Sequence, residues 1–271
     1  VTLAADTPLV RDLLASPNIE PRRGGLTPTM LILHYTGLPT VARALEVLSD
    51  PRCKVSCHYV VHEDGRITQM VAESMRAWHA GVASWHGETD INSASIGIEI
   101  HNPGHTGGYP DFKRAQMDAV RDLCLDICAR HAIQPHAVLA HSDVAPPRKS
   151  DPGEKFDWAW LATAGVGHWV APEPLREDGQ ALALAARGTK VERMQRRLAA
   201  YGYGIEPNGE FDVATEFVVK AFQRHFRPAR VDGRFDISTA ATLERLLSAL
   251  PPHASGIAIA RSGPGGSASP A

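Results

Sequence analysis

Residues 30–33, Met-Leu-Ile-Leu, form an unbroken apolar run, which predicts a strand over 29–35 covered on both faces. Ser-Ile-Gly-Ile at 95–98 predicts a second strand of the same kind over 95–100. Between them Val41, Ala44, Leu45 and Leu48 recur at helical spacing and predict a helix over 41–48 that ends before Asp50-Pro51. Alternating stretches on either side of Asp64-Gly65 predict a hairpin with strands 58–62 and 66–70. The longest helical stripe, Phe112, Val120, Leu123, Cys124, Ile127 and Cys128, predicts a helix over 111–133, followed by a short strand over 137–140. Strands alternating with helices, together with a hairpin, predict an α/β fold with a mixed central β-sheet flanked by helices. Residues 1–28 carry Ser16-Pro17-Asn18 and Arg22-Arg23-Gly24-Gly25, which punctuate rather than propagate structure, and read as a lead-in with one helical turn.

The pattern changes after residue 170, where the predicted α/β domain (29–170) ends. Ala171-Pro172-Glu173-Pro174 and Arg176-Glu177-Asp178-Gly179 predict a linker over 171–185. A weak internal repeat follows, in which Asn208-Gly209-Glu210-Phe211-Asp212 matches Asp232-Gly233-Arg234-Phe235-Asp236. Each copy ends on an aspartate suited to cap a helix. Helices over 190–200, 213–226 and 237–250 make a small all-α three-helix domain, 186–250, and the Gly, Ser, Ala and Pro of 251–271 predict a disordered tail.

Composition narrows the partners. A formal net charge of −2 gives no electrostatic reason for a nucleic-acid partner, and 271 residues accommodate two domains. No stretch approaches the roughly 20 apolar residues that span a bilayer, so no transmembrane segment is expected. The first residues lack the basic and apolar regions of a secretory signal, although a precursor cleaved ahead of Val1 would read the same. Nothing in the pattern sets an oligomeric state. The pairs Cys53/Cys57 and Cys124/Cys128 have a spacing that a thiolate zinc site could use, but the second pair falls on a helix stripe, where cysteine behaves as a small hydrophobe.

The candidate chemistry lies at the ends of the apolar runs. His34 closes the first run and Glu99 the second, while His141, Lys149 and Asp151 share one loop stiffened by Pro146, Pro147 and Pro152. Two imidazoles and a carboxylate make a three-ligand zinc site with one position open, the arrangement of catalytic rather than structural zinc. Glu99 would be the general base and Lys149 the oxyanion partner. The competing reading is two satisfied core histidines and a solvated Lys-Asp pair. Trp78, His79, Trp85 and His86 lack any period and read as a groove wall, with Trp78, His79 and Trp85 as substrate contacts. Arg76 beside them is either a partner for a peptide carboxylate or a surface arginine. His168 and His225 are expected to be exposed or capping residues.

His34-Tyr35-Thr36, Trp78-His79-Ala80-Gly81, Ser95-Ile96-Gly97-Ile98-Glu99 and Lys149-Ser150-Asp151-Pro152-Gly153 together resemble the zinc N-acetylmuramoyl-L-alanine amidases of the amidase-2 family. The resemblance covers about 30–160. It implies one Zn2+ on His34, His141 and Asp151, Glu99 as the acid/base residue and Lys149 as the carbonyl and oxyanion partner. The implied reaction is hydrolysis of the amide between the lactyl group of N-acetylmuramic acid and L-alanine, in peptidoglycan or muropeptides. Two positions depart from the family: Cys57 stands where phage-type members carry a tyrosine, and Asp90 where recycling members carry a stem-peptide arginine. The C-terminal Gly-x-Phe-Asp-x-x-Thr pattern is similar to the three-helix peptidoglycan-binding domain of wall hydrolases. That implies an anchored enzyme in the cell envelope or periplasm, with the cytoplasm as the other option. The alternative function is a non-catalytic peptidoglycan-binding or sensing protein of the same fold. Such relatives usually lose a zinc ligand, and all three positions are kept here.

Overall fold

The computed structural model describes residues 3–176 and 181–251, so most of the predicted tail and part of the linker lie outside the described residues. In chain order the strands are β1 (Asp12–Leu13), β2 (Ile19–Pro21), β3 (Met30–Tyr35), β4 (Tyr59–Val61), β5 (Ile67–Gln69), β6 (Met75–Ala77), β7 (Ser95–Ile100) and β8 (Val138–Ala140). The helices are α1 (Val41–Ser49), α2 (Ile91–Ala94), α3 (Arg114–His131), α4 (His141–Val144), α5 (Trp158–Thr163), α6 (Thr189–Tyr201), α7 (Val213–Phe226) and α8 (Ile237–Ala249).

Six strands form a mixed sheet in the order β1-β5-β4-β7-β3-β8. Strands β4, β7, β3 and β8 run parallel, and β5 turns back antiparallel to β4 as the Asp64-Gly65 hairpin requires. The apolar run of β3 is buried from Met30 to Leu33 because the strand is central. Helix α3 covers one face with Val120, Leu123, Cys124 and Ile127, all with no exposed surface. A smaller cluster of Leu48, Cys57, Val60 and Met70 lies under α1. The four cysteines are free.

The lead-in is more ordered than its sequence predicts. Strand β1 joins the sheet parallel to β5, and β2 pairs antiparallel with β6. Directly after β2, Arg22 donates to the carbonyls of Glu73, Asn92, Ser93 and Ser95. Burial lowers its guanidinium to about 10. Pairing of this kind uses backbone groups and one cation, which leave no hydrophobic period to read.

The three C-terminal helices form as the repeat predicts. Asp212 caps α7 by accepting from the Thr215 N–H at 2.8 Å, and Asp236 caps α8 by accepting from the Thr239 N–H at 2.7 Å. Buried Gln195 and Gln223 brace the equivalent turns, accepting from the N–H of Gly209 and Gly233. These helices share one continuous core with the α/β part. Trp85 lies edge-on to Tyr201 and Tyr203, and Trp158 stacks on His225 at 3.8 Å. The expectation that His225 is exposed or capping therefore fails. It is 2% exposed, because it occupies the buried face of α7 against α4 and α5.

Candidate active site

Parallel strands gather the candidate residues at one edge of the sheet. His34 is the last but one residue of β3 and Glu99 of β7, and the two stand opposite each other in the ladder. Leu33 pairs with Ala140, which delivers His141 at the same level. Carboxyl ends of parallel strands are where such sheets bind ligands. Asp151 comes from the following loop, tied back by the Ser142 N–H donating to the Asp151 carbonyl at 3.0 Å.

His34 Nδ1 lies 2.8 Å from His141 Nδ1 and 3.1 Å from Asp151 Oδ2, and His141 Nδ1 lies 3.0 Å from that same oxygen. All three side chains are buried. The surrounding hydrogen bonds assign the tautomers. The Ser95 hydroxyl spends its proton on the Ile91 carbonyl at 2.5 Å, so it accepts from His79 Nε2–H at 3.3 Å. His79 Nδ1 is then an acceptor and takes the Nε2–H of His34 at 3.1 Å. His141 Nε2–H donates to the Ala80 carbonyl at 3.1 Å. Both Nδ1 atoms are left with lone pairs facing a carboxylate oxygen. Three inward-facing lone pairs repel one another unless a cation lies among them, and their spacing is a few tenths of an ångström tighter than the roughly 3.3–3.6 Å between corners of a tetrahedron with bonds of about 2.0–2.2 Å, as around zinc. The donor set fits a divalent metal. Burial lowers His34 to about 4, helped by His141 and Lys149, and holds His79 well below the usual imidazole range, so both rings stay neutral.

A cleft of about 360 Å³ opens on this group, lined among others by Trp78, His79, Glu99 and Lys149. Glu99 Oε2 is out of solvent contact and has no hydrogen-bond partner. Burial, then the charge of Asp151, pushes its carboxyl well above the ordinary value, while Lys149 works against the shift. A carboxyl of this kind, beside a metal-capable group, can pass a proton in either direction.

The structure thus brings His34, His141, Asp151, Glu99, Lys149, Trp78 and His79 together. His79 lines the cleft with both its ring nitrogens engaged, Nδ1 by His34 and Nε2 by Ser95, so any contact it makes with a ligand is through the ring face or edge. Trp85 is not in the cleft. It is 2% exposed and packs against the C-terminal helices, because Gly202 lets the chain approach so closely that a Cβ there would lie 2.4 Å from the indole. Arg76 is held between Glu20 and Asp90 at 3.1 Å each and does not line the cleft on His141 and Asp151. Tyr35 and Ser150 also line the cleft and share a 3.2 Å hydrogen bond. Their only sequence signal is their position next to His34 and Asp151. Asp143, Tyr203 and His225, which carried no signal in the sequence, meet beneath His141.

Residues 24–154 match the N-acetylmuramoyl-L-alanine amidase family, and residues 187–243 match the peptidoglycan binding domain family. The Escherichia coli K12 N-acetylmuramoyl-L-alanine amidase AmiD is 39% identical over 232 residues, 80% of this chain and 82% of AmiD. The E. coli K12 1,6-anhydro-N-acetylmuramyl-L-alanine amidase AmpD is 34% identical over 161 residues, 53% of this chain and 86% of AmpD. Among solved structures, E. coli AmiD in complex with the substrate anhydro-N-acetylmuramic acid-L-Ala-D-γ-Glu-L-Lys superposes with a TM-score of 0.70 at 35% identity, covering 86% of this chain and 90% of that one. AmpDh3 from Pseudomonas aeruginosa superposes with a TM-score of 0.67 at 30% identity, covering 91% and 98%. With identity of that size running through four-fifths of both chains, and with the fold in common, the chain belongs to the amidase-2 family of N-acetylmuramoyl-L-alanine amidases.

Proposed function

We propose that the protein hydrolyses the amide between the lactyl group of N-acetylmuramic acid and L-alanine in muropeptides, with His34, His141 and Asp151 holding Zn2+. The observation that carries this reading is the convergence of two imidazole lone pairs and a carboxylate beside a proton-holding Glu99. Bound there, zinc would supply a Lewis acid that polarises a carbonyl and acidifies water.

The chain's own residues do the rest. Glu99 takes the proton of the attacking water and returns it to the departing L-alanine nitrogen, a pair of transfers that suits a carboxyl raised above its usual range. Lys149 lines the same cleft and faces the charge that develops on the carbonyl oxygen. Trp78 offers an aromatic wall for the sugar or peptide. The complete ligand set together with Glu99 supports turnover over binding alone. The anhydro-muropeptides bound by AmiD and AmpDh3 make anhydro-muramyl peptides the substrate to test first. We assign residues 186–250 to peptidoglycan binding and the protein to the cell envelope, where such polymer exists.

Mass spectrometry of digests of anhydro-muropeptide and of whole sacculi tests the reaction. Free stem peptides beginning at L-alanine, with intact muramic acid, are expected. Cleavage within the stem peptide would overturn the assignment.

A further inference from the structure

Helix α4 is a single turn that begins on His141, and a turn of four residues has no stability of its own. Besides the backbone ties of Ser142 N–H to the Asp151 carbonyl and Ser84 N–H to the Val144 carbonyl, its hold comes from the side chain of Asp143, which has no exposed surface. One oxygen of that carboxylate, Oδ2, accepts the Ala140 N–H at 2.8 Å, closing the bend between β8 and α4 on which His141 sits. The same Oδ2 accepts the Nδ1–H of His225 at 2.6 Å, and Oδ1 accepts the Tyr203 hydroxyl at 2.7 Å. Two of these three donors therefore belong to the C-terminal module, Tyr203 just past α6 and His225 on α7, not to the α/β domain.

Both donors are fixed in place. The His225 ring is sandwiched between Trp158 and Phe226, with ring centres 3.8 Å away on each side. Tyr203 bridges to Trp85, and the neighbouring Gly202 carbonyl accepts the His86 N–H at 2.8 Å. Burial, with Asp143 close by, raises the Tyr203 phenol well above its usual range, so it remains a donor.

We propose that the helical module completes the metal centre, with Tyr203 and His225 as positioning residues that act on His141 through Asp143. Without them a buried carboxylate would keep one donor, and its escape towards water would carry the start of α4 and the His141 ring with it. The module is then a wall of the catalytic site as well as an anchor. The proposal rests on His141 as a metal ligand, part of the reading above, but not on which bond is cut.

The test is zinc retention against a competing chelator, measured on the full chain without substrate. Tyr203→Phe and His225→Phe should each weaken zinc binding several-fold, less than the roughly 10- to 100-fold for a lost direct partner of a metal ligand, because both act one step further out. His225→Asn places an amide N–H near the Nδ1 position and should recover most of the loss. Leu246→Ala, in the module's core, should lower the melting temperature and leave zinc affinity unchanged. Zinc affinity like that of the unaltered chain in folded Tyr203→Phe and His225→Phe proteins overturns the proposal, as does an equal loss in Leu246→Ala. Should His225→Phe not fold, Tyr203→Phe decides alone, since it removes a single oxygen. A His141→Ala protein that keeps its zinc would instead overturn the ligand assignment itself, which separates the two failures.

Discussion

Glu99 occupies a position where ionisation is expensive, and that expense shows in stability as well as in catalysis. Its carboxyl is raised by burial first and by Asp151 second. The folded chain therefore holds a proton that the unfolded chain has already released above about pH 4.3. With more protons bound in the folded state, stability falls as pH rises from the unfolded value towards the raised one. Glu99→Gln removes this penalty. The metal-free variant should melt higher than the unaltered metal-free protein at neutral pH, while the zinc-loaded variant keeps its metal and loses about 10²–10⁴-fold in turnover. Calorimetry, metal analysis and product assays check the three parts, and a variant with near-normal turnover would remove Glu99 from the proposed mechanism. Glu99 and His34 were legible in the sequence because each is a polar residue at the end of an apolar run, a pattern that places it at a strand's carboxyl end. Trp85 and Arg76 were not. An aromatic residue without periodicity suits a groove or an interface equally well, and no local pattern announces that Glu20 and Asp90 will claim the guanidinium.

Strand β7 does two things with one small residue. Gly97 gives its N–H to His58 Nδ1 at 3.0 Å, and its missing side chain makes room for His79: a Cβ at this position would lie 2.4 Å from the imidazole Cγ. The His79 ring in that space accepts from His34 Nε2–H and donates onward to the Ser95 hydroxyl, and so fixes the lone pair of the proposed ligand. Gly97→Ala must push His79 away. It should cost about 1–3 kcal/mol in urea unfolding, as overpacking of a filled core does, and should also loosen zinc by disturbing the Nε2–H partner of His34. Unchanged unfolding and unchanged zinc affinity would show that the ring can shift freely. At this scale the long periodic elements, β3, β7, α3 and the three C-terminal helices, were readable because one buried face repeats through each. The short strands β1, β2 and β6 were not, since two or three residues carry no period, and Arg22 rather than a hydrophobic face secures the loop around them.

For the molecule as a whole, the linker expected over 171–185 gave a picture of an anchor on a tether, and the packed interface changes the thermodynamic expectation. Tyr201, Tyr203, Phe222 and Phe226 belong to the same buried cluster as Trp85, Trp158 and the sheet, and Asp143 at its centre depends on both sides. Parts that share a core and a buried carboxylate should unfold together. The chain offers a clean way to see this: all five tryptophans lie at or before residue 169, whereas α6, α7 and α8 follow it. Tryptophan fluorescence therefore reports the α/β part and its interface, whereas far-UV circular dichroism reports the helices of both parts. The two urea curves should coincide in midpoint and shape. A chain ending at residue 170 should expose Trp85 and Trp158, aggregate or unfold at a lower midpoint, and retain zinc poorly. Separate transitions, or a truncated chain that stays soluble and keeps its metal, would mean that the interface contributes little and that the module is a passenger, because a shared buried network cannot be lost from one side without cost to the other.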